Sequence, residues 1–283
     1  MVTRKPADKN PPAASRKITC WQLTDWKFSP VATGVVIEKE FAIFLNGERL
    51  ATASLAPGFE KEFTVGYLFG QGFIESTADL LSVDIENNAA KVILKVNRKA
   101  SDIGKTNYRI VSGGGRSAYS GESSFHQIKS DLVIGKENIF KAMNTLFEKA
   151  ALYGETEGVH AAGLFNADSQ PLCVVEDIGR HNTLDKAVGY ILLNNIDSAK
   201  TFMVSTGRMA SEMVTKICRA GIPIVATKTA VTDKGLEIGK KCGLTVIGFV
   251  RDAGSKMNTD MEVRITRQAG MKIYSGADRI RCE

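Results

Sequence analysis

Cysteine is scarce in this sequence, and the cysteines that occur are far apart. There are five of them among 283 residues, and none forms a CxxC pair. Because contiguous zinc knuckles need closely spaced cysteines, such a site is disfavoured, and we predict no metal-binding residue. A dispersed, odd-numbered set is typical of a reducing compartment, which predicts a cytoplasmic protein. The cysteines are Cys20, Cys173, Cys218, Cys242 and Cys282.

Long hydrophobic runs are also missing. No apolar run approaches the roughly 20 residues that a membrane helix needs. The basic N-terminus has no apolar core of a secretory signal. We therefore expect no membrane partner. The hydrophobic content of 43% and charged content of 24% are ordinary for a soluble globular protein.

The excess of positive charge lies at the N-terminus. Residues 1–20 contain five basic residues and one acidic residue, so they carry +4 of the net charge of +6, which leaves +2 for the rest. A near-neutral body with a basic tail gives little support for nucleic-acid binding, and no nucleic-acid partner is predicted. It is compatible with a pocket for one anionic small molecule. Residues 1–16, rich in Pro, Lys and Ala, are predicted to be disordered.

The first half of the chain has the pattern of a β-rich domain. Glu40–Leu45 and Glu48–Ser54 flank Asn46-Gly47, which predicts a β-hairpin with a tight turn. A helix is predicted from Lys61 to Ile74, and its glycines suggest close packing. A second hairpin is predicted from Leu80–Glu86 and Lys91–Val96 around Asn87-Asn88. We assign residues 17–112 to this domain.

A stretch dominated by Gly and Ser follows, and it interrupts the regular pattern. Residues 113–135 are predicted to be a loop and linker. Gly113, Gly115 and Ala118 match the dinucleotide fingerprint only formally, because no amphipathic helix follows. A flexible linker and a functional loop are both open interpretations. In either case we expect Ser112–Ser124 to be mobile in the free protein, because ordering it costs about 1–2 kcal/mol per residue.

Beyond this loop, the apolar periodicity changes to alternating helices and strands. From Glu137 onward the predicted order is α-β-β-α-β-α-β-α-β. Such alternation predicts a three-layer α/β fold with a mixed sheet and helices on both faces. We assign residues 136–283 to this second domain.

The segment Glu176–Lys186 lies where a predicted strand passes into a helix. The strand is Pro171–Val175, and the helix is predicted from apolar residues at helical spacing after Leu184. Arg180, His181 and Asn182 therefore lie at a helix N-terminus, where free N–H groups and the helix dipole favour anions. The alternative is that Asp177 caps the helix and the other residues form a solvated turn.

Two further strands end in polar segments of the same kind. Ser205-Thr206-Gly207-Arg208 and Gly248–Asp252 each follow a buried strand. Ligands of open α/β sheets bind at the carboxyl ends of the strands, so these segments and Asp177–Asn182 predict a pocket for an anionic ligand. His160, at the start of another strand, is a further candidate. Each has a structural alternative, a core histidine for His160 and a helix cap for Ser205-Thr206.

These segments together resemble the formate dehydrogenase accessory protein family, the FdhD-type sulfurtransferases. The matching stretches occur in the family's order and together span about two thirds of the chain. They are Val65–Gly70, Gly158–Ala162, Glu176–Lys186, Ser205–Met213, Arg219–Pro223 and Gly243–Arg251.

The resemblance implies a cytidine-deaminase-like α/β domain joined to a β-rich domain, in a homodimer. Deaminase chemistry itself is not expected. The zinc signature is H-x-E with P-C-x-x-C, whereas His160 is followed by Ala161-Ala162 and Pro223 by Ile224–Thr227.

The resemblance also implies a function. Members of the family pass sulfur from a cysteine desulfurase to the molybdenum–bis(molybdopterin guanine dinucleotide) cofactor of formate dehydrogenase, and a CxxC loop carries the persulfide. The matching loop here, Ser112–Ser124, contains no cysteine, and only sulfur can form a persulfide. No catalytic residue is therefore assigned. Two interpretations stay open: a protein that binds this cofactor and supports its sulfuration, and a non-catalytic cofactor-binding chaperone.

The residues expected to bind the cofactor follow from the matching motifs. Arg180, Arg208 and Arg251 would neutralise diphosphate charge. The family's cofactor-binding segment matches Phe249–Gly254, although an apparent insertion follows it and Met271–Tyr274 could equally align with the family's tail. The complete predicted set is His160, Arg180, His181, Asn182, Ser205, Gly207, Arg208, Phe249, Val250, Arg251, Asp252, Ala253 and Gly254.

Overall fold

The computed structural model describes residues 13–96, 108–110, 127–251 and 269–282. Contacts between Cα atoms divide the chain into two compact units. Unit 1 comprises Met1–Ala118, Ala150–His160 and Glu176–Gly189; unit 2 comprises Tyr119–Lys149, Ala161–Val175 and Tyr190–Glu283. The predicted disordered tail lies outside the described residues except for positions 13–16, of which Ser15 and Arg16 belong to a strand.

The described residues form fifteen strands and six helices. The strands are β1 (Ser15–Thr24), β2 (Lys27–Val36), β3 (Lys39–Leu45), β4 (Glu48–Leu55), β5 (Leu80–Glu86), β6 (Ala89–Leu94), β7 (Tyr108–Ile110), β8 (Ile134–Gly135), β9 (His160–Asn166), β10 (Pro171–Asp177), β11 (Thr201–Ser205), β12 (Ile224–Thr227), β13 (Thr245–Arg251), β14 (Gly270–Ser275) and β15 (Ile280–Arg281). The helices are α1 (Glu60–Gly70), α2 (Lys136–Lys149), α3 (Ala151–Thr156), α4 (Arg180–Leu193), α5 (Ser211–Arg219) and α6 (Asp233–Cys242).

Unit 1 contains a five-stranded sheet with the order β5-β6-β3-β4-β7. Both predicted hairpins are confirmed, since β3 pairs antiparallel with β4, and β5 with β6. The predicted helix after the first hairpin is confirmed, but it ends at Gly70 and not at Ile74. The chain leaves the helix at Gly72, whose φ of 78° lies in the left-handed region that ends many helices.

Helices α1 and α4 pack closely within unit 1. A Cβ atom on Gly66 of α1 would overlap the carbonyl oxygen of Asp185 and lie 2.8 Å from the Gly189 nitrogen. A Cβ on Gly189 would likewise overlap the carbonyl oxygen of Glu62. The two glycines therefore let the helix backbones touch, and the close packing that the glycines of α1 predict is confirmed.

A six-stranded mixed sheet has the order β10-β9-β11-β12-β13-β14. Strands β11, β12 and β13 are parallel neighbours, whereas β9 pairs antiparallel with β11 and β14 antiparallel with β13. The predicted alternation of helices and strands is confirmed from α2 to β13. The sequence did not predict α3 or β14. The mixed α/β class is thus confirmed, and the cytidine-deaminase-like arrangement stays a prediction.

Among the described residues, no helix is long and apolar enough to span a membrane.

Candidate functional site

The segment Glu176–Lys186 of unit 1 is held by a buried ion pair. The Lys186 Nζ atom lies 2.7 Å from Asp177 Oδ2, and neither side chain is exposed. Lys186 also donates to the Ala56 carbonyl oxygen at 3.0 Å and to the Glu176 carbonyl oxygen at 2.9 Å. All three ammonium protons therefore have acceptors, and Lys186 is a structural clamp and not an available base.

Both carboxylate oxygens of Asp177 are fully used. Oδ1 accepts from the Gly179 N–H at 3.1 Å and from Asn182 Nδ2 at 2.8 Å. Oδ2 accepts from Lys186 and from the Ala56 N–H at 3.2 Å. Burial raises the pKa of Asp177 above its usual value, and the Lys186 ammonium and the N–H donors oppose part of that rise. Asp177 thus fixes the turn that leads into α4.

Glu176 has a separate structural role in unit 1. Its carboxylate accepts from the backbone N–H groups of Leu152 at 3.2 Å and Tyr153 at 2.6 Å, in the first turn of α3. Helix α3 has no side-chain cap of its own at Ala150, so Glu176 replaces it. Burial raises the pKa of Glu176 above its usual value.

Three of the four predicted ligand-binding residues of unit 1 occupy the first turn of α4, as expected. His181 and Asn182 are 9% and 1% exposed. Asn182 Nδ2 also donates to the Ser54 carbonyl oxygen at 2.9 Å. Arg180 Nε and Asn182 Oδ1, both in this turn, are buried and have no hydrogen-bond partner among the described residues. The fourth predicted residue of this unit, His160, begins β9 and is partly buried.

In unit 2, the carboxyl ends of the parallel strands β11, β12 and β13 lie along one edge of the sheet. Ser205 ends β11, and its Oγ accepts from the Gly207 N–H at 3.1 Å, which closes the turn before the exposed Arg208. This bond holds the turn, and Ser205 itself is fully buried.

Threonine hydroxyls at the end of β12 and just after it complete this edge. Thr227 Oγ1 donates to the Gly207 carbonyl oxygen at 2.7 Å and lies 3.1 Å from Thr229 Oγ1. The carbonyl oxygen of Thr229 accepts from the Phe249 N–H at 3.0 Å. Gly207 and Phe249 are thereby joined at one edge, as predicted. The sequence reasoning missed Thr227 and Thr229, although Thr-Lys-Thr directly follows a short buried strand.

Phe249 is the centre of a cationic cluster at the end of β13. Its φ of 55° is unusual for an aromatic residue and turns the chain at a bulge between Gly248 and Arg251. The Arg251 guanidinium lies 5.9 Å and the Lys272 ammonium 5.1 Å from the centroid of its ring. Lys272, on β14, is a further cation that the sequence reasoning did not select.

The remaining predicted residues differ in what the structure describes. Val250 is buried, at 2% exposure, so it packs in the core. The predictions for Asp252, Ala253 and Gly254, and for the loop Ser112–Ser124, lie outside the described residues. In the part of the chain that is described, no group of three or more His, Cys, Asp or Glu side chains could hold a metal ion.

The cysteines differ in accessibility. Cys173, Cys218 and Cys242 are buried, Cys20 is partly exposed and Cys282 is exposed. Burial raises the pKa of Cys218, and a hydrogen bond with Cys242 adds to that rise. Burial also raises the pKa of Cys242. These two thiols are therefore protonated and shielded, which is unfavourable for nucleophilic sulfur chemistry.

Comparison with known proteins places these motifs in a family. The sequence profile of the FdhD/NarQ family matches residues 36–281. The chain is 35% identical over 221 residues to the sulfur carrier protein FdhD of Saccharolobus solfataricus, covering 77% of this chain and 85% of that relative. It is 30% identical over 266 residues to the protein of the same name from Bacillus pumilus, covering 90% and 99%.

A solved structure shares the fold. It is the crystal structure of a protein assigned as a formate dehydrogenase accessory protein from Desulfotalea psychrophila, with a TM-score of 0.74 over 95% of this chain and 100% of that one, at 23% identity. The profile matches most of the chain, and the alignments with two relatives at 30% identity or more span most of each relative's length. The chain therefore belongs to the FdhD/NarQ family.

Proposed function

We propose that this protein binds the molybdenum–bis(molybdopterin guanine dinucleotide) cofactor as cargo and supports its sulfuration for formate dehydrogenase. The names of the relatives, sulfur carrier protein and formate dehydrogenase accessory protein, support this proposal. A cysteine desulfurase would supply the sulfur. The protein would act in the cytoplasm as a homodimer.

The observation that carries the proposal is the pair of buried atoms at the start of α4. Arg180 Nε is a donor and Asn182 Oδ1 an acceptor, and among the described residues neither has a partner. Buried polar atoms are rarely left unsatisfied, and each costs about 1–3 kcal/mol when it is. A ligand that offers both an anionic oxygen and an N–H group would satisfy both. A guanine nucleotide has this combination, and so has a phosphorylated pterin.

The clamp around Asp177 explains how this turn would be held ready for a ligand. Asn182 Nδ2 is fixed by Asp177 and Ser54, so its Oδ1 atom has one orientation. A pre-oriented acceptor loses little conformational entropy when it binds. We assign the donors of the base to Asn182 and phosphate oxygens to Arg180. His160 and His181 would contribute further hydrogen bonds to guanine or pterin.

The edge of unit 2 supplies groups that suit phosphate oxygens. Arg208 and Arg251 are exposed cations, and Lys272 and Arg251 flank the Phe249 ring. Cations beside an aromatic ring bind a diphosphate by charge and a flat heterocycle by stacking. In this proposal Arg208 and Arg251 contact the diphosphate, and Phe249 contacts a ring of the cofactor.

Titration with GDP tests the proposal, because GDP is the nucleotide part of the cofactor. We expect saturable binding by isothermal calorimetry, weakened at least about tenfold in Arg180→Ala, Arg208→Ala and Arg251→Ala, since each removes a charge-assisted contact. Arg49→Ala is the matched control, because Arg49 is exposed on β4 and bonds to Thr52. Absence of binding at millimolar GDP, or equal affinity in all four variants, would contradict the proposal.

A second candidate is a cofactor chaperone that performs no sulfur transfer. The absence of cysteine from Ser112–Ser124 favours it, as does the burial of Cys173, Cys218 and Cys242. This candidate predicts that GDP still binds but that no persulfide forms on the protein.

Incubation with a cysteine desulfurase and radiolabelled cysteine separates the two candidates. Label that remains on the protein, is released by dithiothreitol and disappears in a Cys→Ala variant would exclude the chaperone. An unlabelled protein that still raises formate dehydrogenase activity would support it. The two accessible thiols, Cys20 and Cys282, are the first to replace.

A further inference from the structure

Strands β1 and β2 form a two-stranded ribbon, residues 15–36, that is a separate sheet in unit 1. Ten pairs, from Ser15↔Val36 to Thr24↔Lys27, make it regular along its whole length. Its base is anchored, since Ser15 Oγ donates to Glu155 on α3 at 2.8 Å and Val36 packs on Leu152 and Val159. Exposure increases away from this base.

The outer half of the ribbon, residues 21–30, is amphipathic, with its apolar face in solvent. Residues paired directly across an antiparallel ribbon have side chains on the same face. The pairs Trp21↔Pro30 and Leu23↔Phe28 therefore share one face. The pairs between them belong to the opposite face, which carries Gln22 with Ser29 and Thr24 with Lys27. Such alternation is the pattern of a strand pair that covers something on its apolar side.

The exposed fractions are large for these residue types. Trp21 is 71%, Leu23 51%, Trp26 94% and Phe28 70% exposed. With about 200 Å² for a whole aromatic side chain, the three aromatic residues leave roughly 500 Å² uncovered. This is as large as the patches of roughly 300–600 Å² that often mark binding sites on monomers.

The turn of the ribbon holds an exposed tryptophan in a strained backbone conformation. Asp25 and Trp26 have φ values of 50° and 61°, the conformation of a two-residue hairpin turn that favours Asn-Gly. A bulky residue in the left-handed region costs on the order of 1 kcal/mol. Trp26 fills that position while it is 94% exposed, so its side chain stabilises nothing in the ribbon that offsets the cost.

The ribbon carries an excess of positive charge. The ribbon contains Arg16, Lys17 and Lys27 against the single acid Asp25, a net charge of +2. Lys17 lies on the same face as Trp21 and Leu23, because even numbers of positions separate these residues along β1. A complementary surface would be apolar at its centre and acidic at its rim.

We infer that the ribbon is a docking surface for a partner protein that presents an apolar groove rimmed by carboxylates. Under the proposed function that partner is formate dehydrogenase, and only the partner's identity rests on that function. The uncovered area is below the roughly 800 Å² per partner of standard interfaces. It suits a short-lived complex, as expected of a carrier that must release its client.

Charge and area favour this occupant over two others. In a second copy of this chain, the same +2 ribbon would face itself, and a permanent homodimer buries at least about 2,000 Å² in total. For a lipid surface, Asp25 at the tip would have to enter the interface beside Trp26, at a cost in free energy. An acidic protein groove meets neither obstacle.

The chain's only two tryptophans, Trp21 and Trp26, both lie on the ribbon, so they can report its contacts alone. We expect two ¹⁹F resonances from full-length protein labelled with 5-fluorotryptophan. Titration with unlabelled apo-formate dehydrogenase, purified from cells that lack this protein, should shift or broaden both in a saturable way. The effect should weaken as the salt concentration rises.

Charge and apolar variants test the two parts of the surface. Lys17→Glu, and Phe28→Ser with Leu23→Ser, should each lower the affinity at least tenfold. Asp25→Asn should raise it, because Asn tolerates the left-handed turn and one acid is removed. The matched control, Gln22→Ala with Ser29→Ala on the opposite face, should bind as the wild type does.

Three outcomes would overturn the inference: no change of either resonance with the enzyme, shifts that depend only on the concentration of this protein, or shifts only with vesicles of phosphatidylcholine and phosphatidylglycerol. GDP affinity of the ribbon variants separates this inference from the proposed function. Ribbon variants that bind GDP normally and fully support formate dehydrogenase activity overturn the docking surface alone. Wild-type protein that binds the enzyme but not GDP contradicts the cargo and leaves the docking surface standing.

Discussion

The carboxylate of Asp177 and the ammonium of Lys186 lie 2.7 Å apart, and neither side chain reaches solvent. Around them, Lys186 also binds the carbonyl oxygens of Ala56 and Glu176, and Asp177 accepts from three further donors. The pair thus connects the end of β4, the end of β10 and the first turns of α4. The pair therefore stabilises the position of the first turn of α4.

Replacing Lys186 should therefore destabilise unit 1 strongly. Lys186→Met leaves a buried carboxylate without its counter-ion, and we expect a loss of about 3–5 kcal/mol in the free energy of unfolding. Urea denaturation followed by circular dichroism measures it. The matched control is Lys91→Met, which breaks a 3.0 Å pair with Glu86 whose side chains are 62% and 59% exposed; that change should cost less than about 1 kcal/mol. Equal losses in the two variants would show that burial of the pair has no energetic weight.

Two glycine-to-alanine substitutions should change the free energy of unfolding in opposite directions. Gly66→Ala should lower the free energy of unfolding by about 1–3 kcal/mol or more, because the new Cβ overlaps the Asp185 carbonyl oxygen. Gly154→Ala in α3 has no heavy atom within 4 Å of its Cβ. It should raise that free energy by about 0.5–1 kcal/mol, because alanine favours the helix. Thermal unfolding of both variants measures the direction of each change in stability. A Gly66→Ala variant as stable as the wild type would show that α1 and α4 are farther apart than in the structure.

Glu60 should make stability depend on pH. Burial acts to raise the pKa of Glu60, but hydrogen bonds from Lys39 and the Gly58 N–H outweigh it, so the pKa lies below its usual 4.5. The stabilisation from this group is therefore complete above pH 4.5 and lost as the pH falls through the lowered pKa. We expect Glu60→Gln to cost on the order of 1 kcal/mol at pH 7, and this cost should shrink as the pH falls below 4.5. A constant difference at all pH values, measured by urea denaturation, would contradict this.

Thiol reactivity should follow burial. Cys282 is exposed, whereas burial raises the pKa of Cys218 and Cys242. We expect Cys282 to react with Ellman's reagent at least about 100-fold faster than those two in the folded protein. The fast phase should lose one thiol in Cys282→Ser and vanish when Cys20→Ser is added, and all five thiols should react together in guanidinium chloride. A fast phase that persists in this double variant would identify another reactive thiol.

The sequence predicted elements better than it predicted their environment. Apolar periodicity located both hairpins and the alternating elements from α2 to β13, because half-buried strands and helices leave a periodic trace. For α4, the same periodicity identified Leu184 and Val188 but gave no indication of the environment of Lys186. Lys186 is 0% exposed, in a helix that packs on α1 through Gly66 and Gly189. That contact depends on residues more than 100 positions apart, which no local pattern contains.

The candidate site was predictable to a similar degree. Strand ends followed by Arg, Ser and Gly located Arg180, Arg208 and Phe249, since parallel strands align their carboxyl ends. The roles of the neighbours required coordinates. Ser205 closes a turn, Val250 is in the core, and Lys272 reaches the Phe249 ring from another strand. Nothing in the sequence around the two tryptophans, Trp21 and Trp26, indicated that both would be exposed.

The interleaved course of the chain has a consequence for synthesis on the ribosome. The backbone of Ala56 is bound by a side chain 130 residues later, that of Lys186. At about 5–20 residues per second, translation needs roughly 7–26 s to supply that partner. The backbone of Ala56 therefore lacks this partner while 130 of the 283 residues are being made. Slower codons, or the absence of a chaperone, while the chain between Ala56 and Lys186 is made should lower the yield of native protein. The same change while the chain after Gly189 is made should lower it less.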